Sequence, residues 1–220
     1  MRLPILIALI GQLWSLPALA GAWLEQKGGG FTSTALRARA SGQELSGYVA
    51  YGVSRRLTFG LDLHHSTDMR TKSAHALVFA RLPLRQSDQG WQLAFELASG
   101  FGRDGAQWSG IRRLSLSAGR GLSWQGRDGW VNFDLTREWR RGGDLTAWKL
   151  DSALGIARKT GPSVILRTEF YQPDGGEMIW KALPGLRWQI SPQREVLTGL
   201  EWRSFGAERL GLTVELWHRF

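Results

Sequence analysis

Apolar and polar side chains alternate residue by residue over many short runs of this chain, and no other feature narrows its fold so far. Leu57, Phe59, Leu61 and Leu63 interleave with Thr58, Gly60, Asp62 and His64. Trp91, Leu93, Phe95 and Leu97 alternate with Gln92 and Glu96, and Val131, Phe133 and Leu135 with Asn132, Asp134 and Thr136. The last run sets Leu210, Leu212, Val214 and Leu216 against Thr213, Glu215 and Arg219, and ends on Phe220. Successive strand side chains point to opposite faces, so each run is a strand between an oily and a polar solvent. Beyond the first 20 residues nothing approaches the roughly 18 consecutive apolar residues of a membrane-spanning helix, which excludes a helical bundle.

Turn signals rich in Gly, Pro, Asp, Ser or charge separate the runs at 40–43, 53–56, 66–72, 85–90, 102–110, 121–129, 140–144, 157–162, 172–176, 191–194 and 204–208. Eleven turns imply twelve strands. Strands of about 9 to 12 residues match what a tilted strand needs to cross hydrocarbon. No linker divides the chain, so a single barrel domain is expected over 21–220.

The first 20 residues read as a cleaved signal peptide. Arg2 opens it, 3–16 is almost wholly apolar, Pro17 breaks the run, and Ala18-Leu19-Ala20 gives the small-x-small pattern before Gly21. The chain is therefore expected to leave the cytoplasm. Its net charge of +9 would otherwise suit nucleic acid, a partner that export removes. The absence of Cys excludes disulfides, thiolate metal sites and thiol nucleophiles together.

Alternation also suits a soluble sandwich with its apolar face buried. The aromatic rings choose between the two, because a transmembrane barrel collects them on the lipid-facing phase at strand ends. With the N-terminus in the periplasm, Trp91 and Trp188 fall at inner ends and Trp139, Trp148, Trp180 and Trp202 at outer ends, all on the apolar phase. Phe220 adds a ring at the inner rim, while Trp124 and Trp130 fit either architecture. The expectation is an all-β, antiparallel up-and-down transmembrane β-barrel.

The export signal, the hairpin from Tyr51 through Arg55-Arg56 to Leu61, and the terminal Leu216-Trp217-His218-Arg219-Phe220 resemble Gram-negative outer-membrane β-barrel proteins. The resemblance implies insertion by the barrel-assembly machinery through the Phe220 segment, with outer-membrane lipid and lipopolysaccharide as surroundings. Over residues 21 to 63, Gly21-Ala22-Trp23, Lys27-Gly28-Gly29-Gly30-Phe31 and that hairpin are similar to the family named for the meta-pathway of phenol degradation, thought to be outer-membrane transporters. That resemblance carries no catalytic motif.

The polar phase would send Asp62, His64, Arg81, Glu96, Arg113, Asp134, Glu138, Lys149, Asp151, Arg167, Glu169, Lys181, Arg187, Glu201, Arg203, Glu215 and Arg219 into the lumen. Leaving His64 aside, eight acids face eight bases, which opposes strong anion selectivity. The expectation is a charge network around a narrow path for a small solute, since about 16 strands are needed for an open porin channel. A barrel without flux is the structural alternative. Arg70, Lys72, Arg103, Arg140 and Arg141 fall on outer loops, within reach of lipid phosphates. A lipid hydrolase using His64 and Ser66 is the enzymatic alternative, weakened because both share the lumen phase. The histidines show no metal-binding spacing, no cofactor is implied, and Gly28-Gly29-Gly30 reads as a flexible entry into the first strand.

Overall fold

The structure, a computed structural model, describes residues 21–68, 72–87, 89–141, 145–158 and 161–220. The expected signal peptide 1–20 lies outside the described residues, as does Arg70. Twelve strands follow one another: β1 Gly30–Arg39, β2 Gly42–Ser54, β3 Leu57–Ser66, β4 Ser73–Arg85, β5 Gln92–Asp104, β6 Gln107–Trp124, β7 Arg127–Arg141, β8 Leu145–Ile156, β9 Ser163–Pro173, β10 Ile179–Ser191, β11 Arg194–Arg203 and β12 Leu210–Arg219. Each pairs antiparallel with its sequence neighbours, and β1 pairs with β12 from Phe31↔Arg219 to Ala38↔Leu212. The ring is thus closed and has no edge strand. Every strand has a hydrogen-bonded neighbour on each side, the condition for placing a sheet in hydrocarbon.

The start of β1 meets the end of the chain at one rim, where Gly30 N–H donates to Phe220 O at 2.8 Å and Phe220 N–H returns the bond at 3.0 Å. We call that rim inner and the opposite one outer. The strands run further into the turns than Gly-rich composition suggests. The expected turns at 102–110 and 121–129 shrink to residues 105–106 and 125–126, because β5, β6 and β7 keep pairing as far as Asp104↔Gln107 and Trp124↔Arg127. At the second hairpin Gln125 and Gly126 both take positive φ, 51° and 69°, the conformation whose twist matches the flanking strands.

Phe59, Val78, Leu97, Phe133, Leu166 and Leu212 are among the large apolar side chains exposed on the outside. Polar atoms on that wall satisfy one another: Ser152 and Thr168 hydroxyls lie 2.7 Å apart, and Trp188 Nε1 donates to Thr198 Oγ1 at 3.1 Å. The inside is not uniformly polar. Phe31, Trp130, Ile165, Leu197 and Trp217 form one buried apolar cluster, and Ala50, Leu77, Phe79, Ala98 and Ile111 another. Trp130, which the sequence left open, therefore faces inward. Its neighbours in phase, Asn132 and Thr136, are buried with it.

The second cluster depends on the wall being thin beside Phe79. A Cβ at Gly60 would stand 2.1 Å from the Phe79 ring and 2.2 Å from Val49 O. Gly60→Val is expected to displace that ring and cost about 1–3 kcal/mol, the range for overpacking a filled interior. The check is the urea midpoint of the detergent-folded barrel, which should fall.

Candidate functional site

The inward phase of every strand meets in the lumen, and its charges fall into layers. Nearest the outer rim, Arg39 on β1 donates to Glu201 at 2.6 Å and to Glu44 at 2.7 Å, while Arg203 reaches Asp68 at 3.0 Å. Arg37 holds Glu169 at 2.6 Å, and Lys181 completes the layer at 3.1 Å from Glu44. The Arg39 and Glu201 side chains are both wholly withdrawn from solvent. Glu44 gives Arg39 a second acceptor, so this buried charge is held jointly by β2 and β11.

In the middle layer Arg113 spans Asp62 at 2.9 Å and Glu138 at 2.6 Å, and Arg140 takes the other Glu138 oxygen at 2.7 Å. His75 Nε2 lies 3.1 Å from Asp62, and Lys149 lies 2.7 Å from Asp151. Toward the inner rim Arg81 grips Glu96 at 2.6 Å and donates to the Tyr48 hydroxyl at 2.8 Å. Arg167 and the Trp217 indole both donate to Glu215, each at 2.5 Å. Arg187 stacks over Trp130 at 4.4 Å, with Glu195 at 3.8 Å, and Arg219 reaches Glu195 at 3.2 Å.

Residues 21–29 enter the lumen from the inner rim. Ala22 N–H donates to Asn132 Oδ1 at 3.3 Å, Glu25 N–H to Thr58 Oγ1 at 3.0 Å, and Arg81 to the Trp23 carbonyl at 3.3 Å. Trp23 packs against the aromatic cluster. Gly21 lies so close to Asp134 that a Cβ there would stand 1.8 Å from its Oδ1. The glycines expected to make a flexible entry are pinned instead: Gly28 N–H donates to Gly52 O at 2.8 Å, and Gly52 N–H to Gly29 O at 2.9 Å. The backbone carbonyl and N–H of Gly52, at the inner end of β2, fix what composition reads as slack.

The lumen side chains singled out from sequence are thus brought together, with two departures. Arg140, expected on an outer loop, points inward because it shares the phase of Glu138 within an extended β7. His64 and Ser66 do not meet as a catalytic pair. Ser66 is buried and its Oγ accepts the Asp68 N–H at 3.3 Å, whereas His64 stacks on His75 at 5.3 Å with Ser73 Oγ 3.5 Å from its Nε2. Sequence reading missed Arg37, Arg39 and Glu44, although a charge at every second position of 37–39 was the available signal. On the outside Trp91, Trp139, Trp148, Trp188, Trp202 and Phe220 are exposed, and Trp180 packs edge-on to Trp202 at 5.1 Å. Exposed Trp108 belongs with the outer rings and was not anticipated.

The chain's shape has well-covered counterparts among solved structures. A KdgM porin superposes with a TM-score of 0.63 at 8% identity, over 86% of this chain and 99% of that one. A NanC porin gives 0.56 at 8%, over 86% and 97%. An outer membrane channel from Pseudomonas putida F1 gives 0.53 at 11%, over 90% and 97%. The fold is that of a porin-type outer-membrane barrel. No family model matches the chain, the one suggested over residues 21 to 63 included, and no curated protein matches it in sequence.

Glu201→Ala is expected to destabilise the barrel by about 1–3 kcal/mol, because Arg39 keeps Glu44 but loses its second acceptor, and Glu201→Gln by less because a neutral acceptor remains. Asp174, in the exposed β9–β10 turn, instead pairs with Arg137 on the outer wall of β7 at 2.5 Å. Asp174→Asn keeps an amide oxygen to accept from Arg137 and should lower the urea midpoint by less than Glu201→Ala does.

Proposed function

We propose that the protein is a narrow outer-membrane channel for a small polar solute, held shut at its inner mouth by its own N-terminal segment. The observation that carries this reading is a series of cavities lined by charged and aromatic side chains inside a closed wall. A central cavity of about 300 Å³ is lined by Tyr48, Arg113, Trp130, Lys149 and Glu215 among others. Two more, of about 270 and 500 Å³, are lined by His64, Arg140, Lys149, Tyr171 and Lys181 and lead toward the outer rim. Residues 21–29 stand at the other end of this path. The likeness to porins supports passage as the role of such a lumen, and one KdgM porin was solved in complex with disordered oligogalacturonate.

The inward charges beyond those read from sequence add both signs, Arg37, Arg39 and Arg140 against Glu25, Glu44, Asp68, Asp104 and Glu195. A lumen so nearly neutral does not favour either ion strongly. This supports a neutral or zwitterionic solute rather than a polyanion, with aromatic Tyr48, Trp130 and Trp217 offering ring faces to its apolar edges. Export through the 1–20 signal, and insertion by the assembly machinery acting on the Phe220 segment, complete the reading.

Conductance across planar bilayers tests it. The full mature barrel should pass small currents, with a reversal potential near zero in a potassium chloride gradient. Deletion of residues 21–27 should raise the conductance several-fold. Arg113→Ala should change it more than Arg127→Ala, which alters an exposed turn. A folded deletion variant that stays silent would overturn the channel.

A further inference from the structure

The outer wall of β5, β6 and β7 carries charge where a membrane barrel normally shows only hydrocarbon and aromatic rings. Arg112 follows buried Ile111 and precedes the inward Arg113, so its side chain lies on the lipid-facing phase of β6. Its cross-strand neighbours are Ser99 on β5 and Trp139 on β7, which places it level with the outer ring of indoles. Arg141 pairs with Gly110 and is therefore the diagonal neighbour of Arg112, about 7–8 Å away, close enough for both guanidiniums to reach one anion. Arg103, also lipid-facing, stacks over Trp108 at 5.9 Å. Trp108 is four residues further toward the outer rim than Arg112, which is about 13 Å along the strand.

Among the described residues no carboxylate forms an ion pair with Arg103, Arg112 or Arg141, whereas neighbouring Arg137 is matched by Asp174. Asp104, adjacent to Arg103 in sequence, belongs to the opposite phase and lines the lumen. Charge left unpaired at the hydrocarbon boundary is costly unless an anionic headgroup meets it. Beside Arg112 the wall is concave, and Phe59, Val78, Leu97, Leu114 and Trp139 line the depression.

We propose that this face is a binding site for a phosphorylated glycolipid of the outer leaflet. Arg112 and Arg141 clamp one sugar-borne phosphate, Arg103 meets a second anionic group nearer the rim, and an acyl chain occupies the groove of Phe59, Val78, Leu97 and Leu114. Guanidinium forks suit phosphate oxygens, and the exposed Trp108 ring beside Arg103 offers a surface to a sugar face. Anion positions at two heights exceed what the single phosphodiester of a phospholipid would fill. The inference rests on the outer-membrane orientation of the proposed function, but not on flux.

Native mass spectrometry of the full mature protein in detergent tests the site, with bisphosphorylated lipid A, monophosphorylated lipid A and phosphatidylglycerol offered separately at equal concentration. The protein is expected to retain bisphosphorylated lipid A at least tenfold better than phosphatidylglycerol. The double change Arg112→Ala with Arg141→Ala should lower that retention at least tenfold, while Arg103→Ala should erase the preference for two phosphates over one. Arg127→Ala, at the inner rim, should change nothing. A heat-dependent shift in gel mobility confirms that each variant is a folded barrel. Undiminished retention by the folded double variant, or equal retention of phosphatidylglycerol, overturns the proposal. Because no conductance is measured, a silent channel that still holds lipid A refutes only the flux reading.

Discussion

Pairing of β1 with β12 is the constraint on which the rest depends. In hydrocarbon an unpaired backbone donor or acceptor has no water to turn to, so a sheet survives there only without edges. Closure then divides space into an outside that accepts Leu, Val and Phe and an inside that must be filled from the other phase. The lumen chemistry follows from the seam. Charges driven inward by alternation meet within a narrow bore, where they must find one another or stay unpaired at a cost.

They do so across large sequence separations. Arg39 and Glu201 lie 162 residues apart, and Arg37 and Glu169 132. Such pairs tie the first strands to the last third of the chain and cross the bore rather than follow the wall. The resulting layers brace the barrel and narrow its bore at once. A residue such as Arg113, which grips acids on two different strands, serves both ends.

The sequence exposed the wall better than the contents. Strand number and the phase of Phe59, Phe133 and Leu212 were legible because each face of a membrane barrel meets one uniform solvent. Where the inside is itself apolar, that logic loses its contrast. Phe31, Trp130 and Trp217 carry the same residue types as lipid-facing rings, and only the phase of their neighbours reveals that they turn inward. Arg37 and Arg39 escaped because β1 begins with Phe-Thr-Ser-Thr-Ala, whose small polar residues blur the alternation. The glycines at 28–30 misled for a different reason: composition reports conformational freedom, and the hydrogen bonds from Gly52 that remove it are long-range.

Residues 21–29 fill the inner mouth without belonging to any strand of the wall. They join β1 by way of Gly28, which has a φ of +82° and open space around it. Their contacts run from Ala22, Trp23 and Glu25 to side chains of the wall, and none of these is a rung between two strands. Obstruction and enclosure are therefore mechanically separate in this molecule. The stopper can be weakened or strengthened by substitution while the cylinder around it keeps its full complement of bonds.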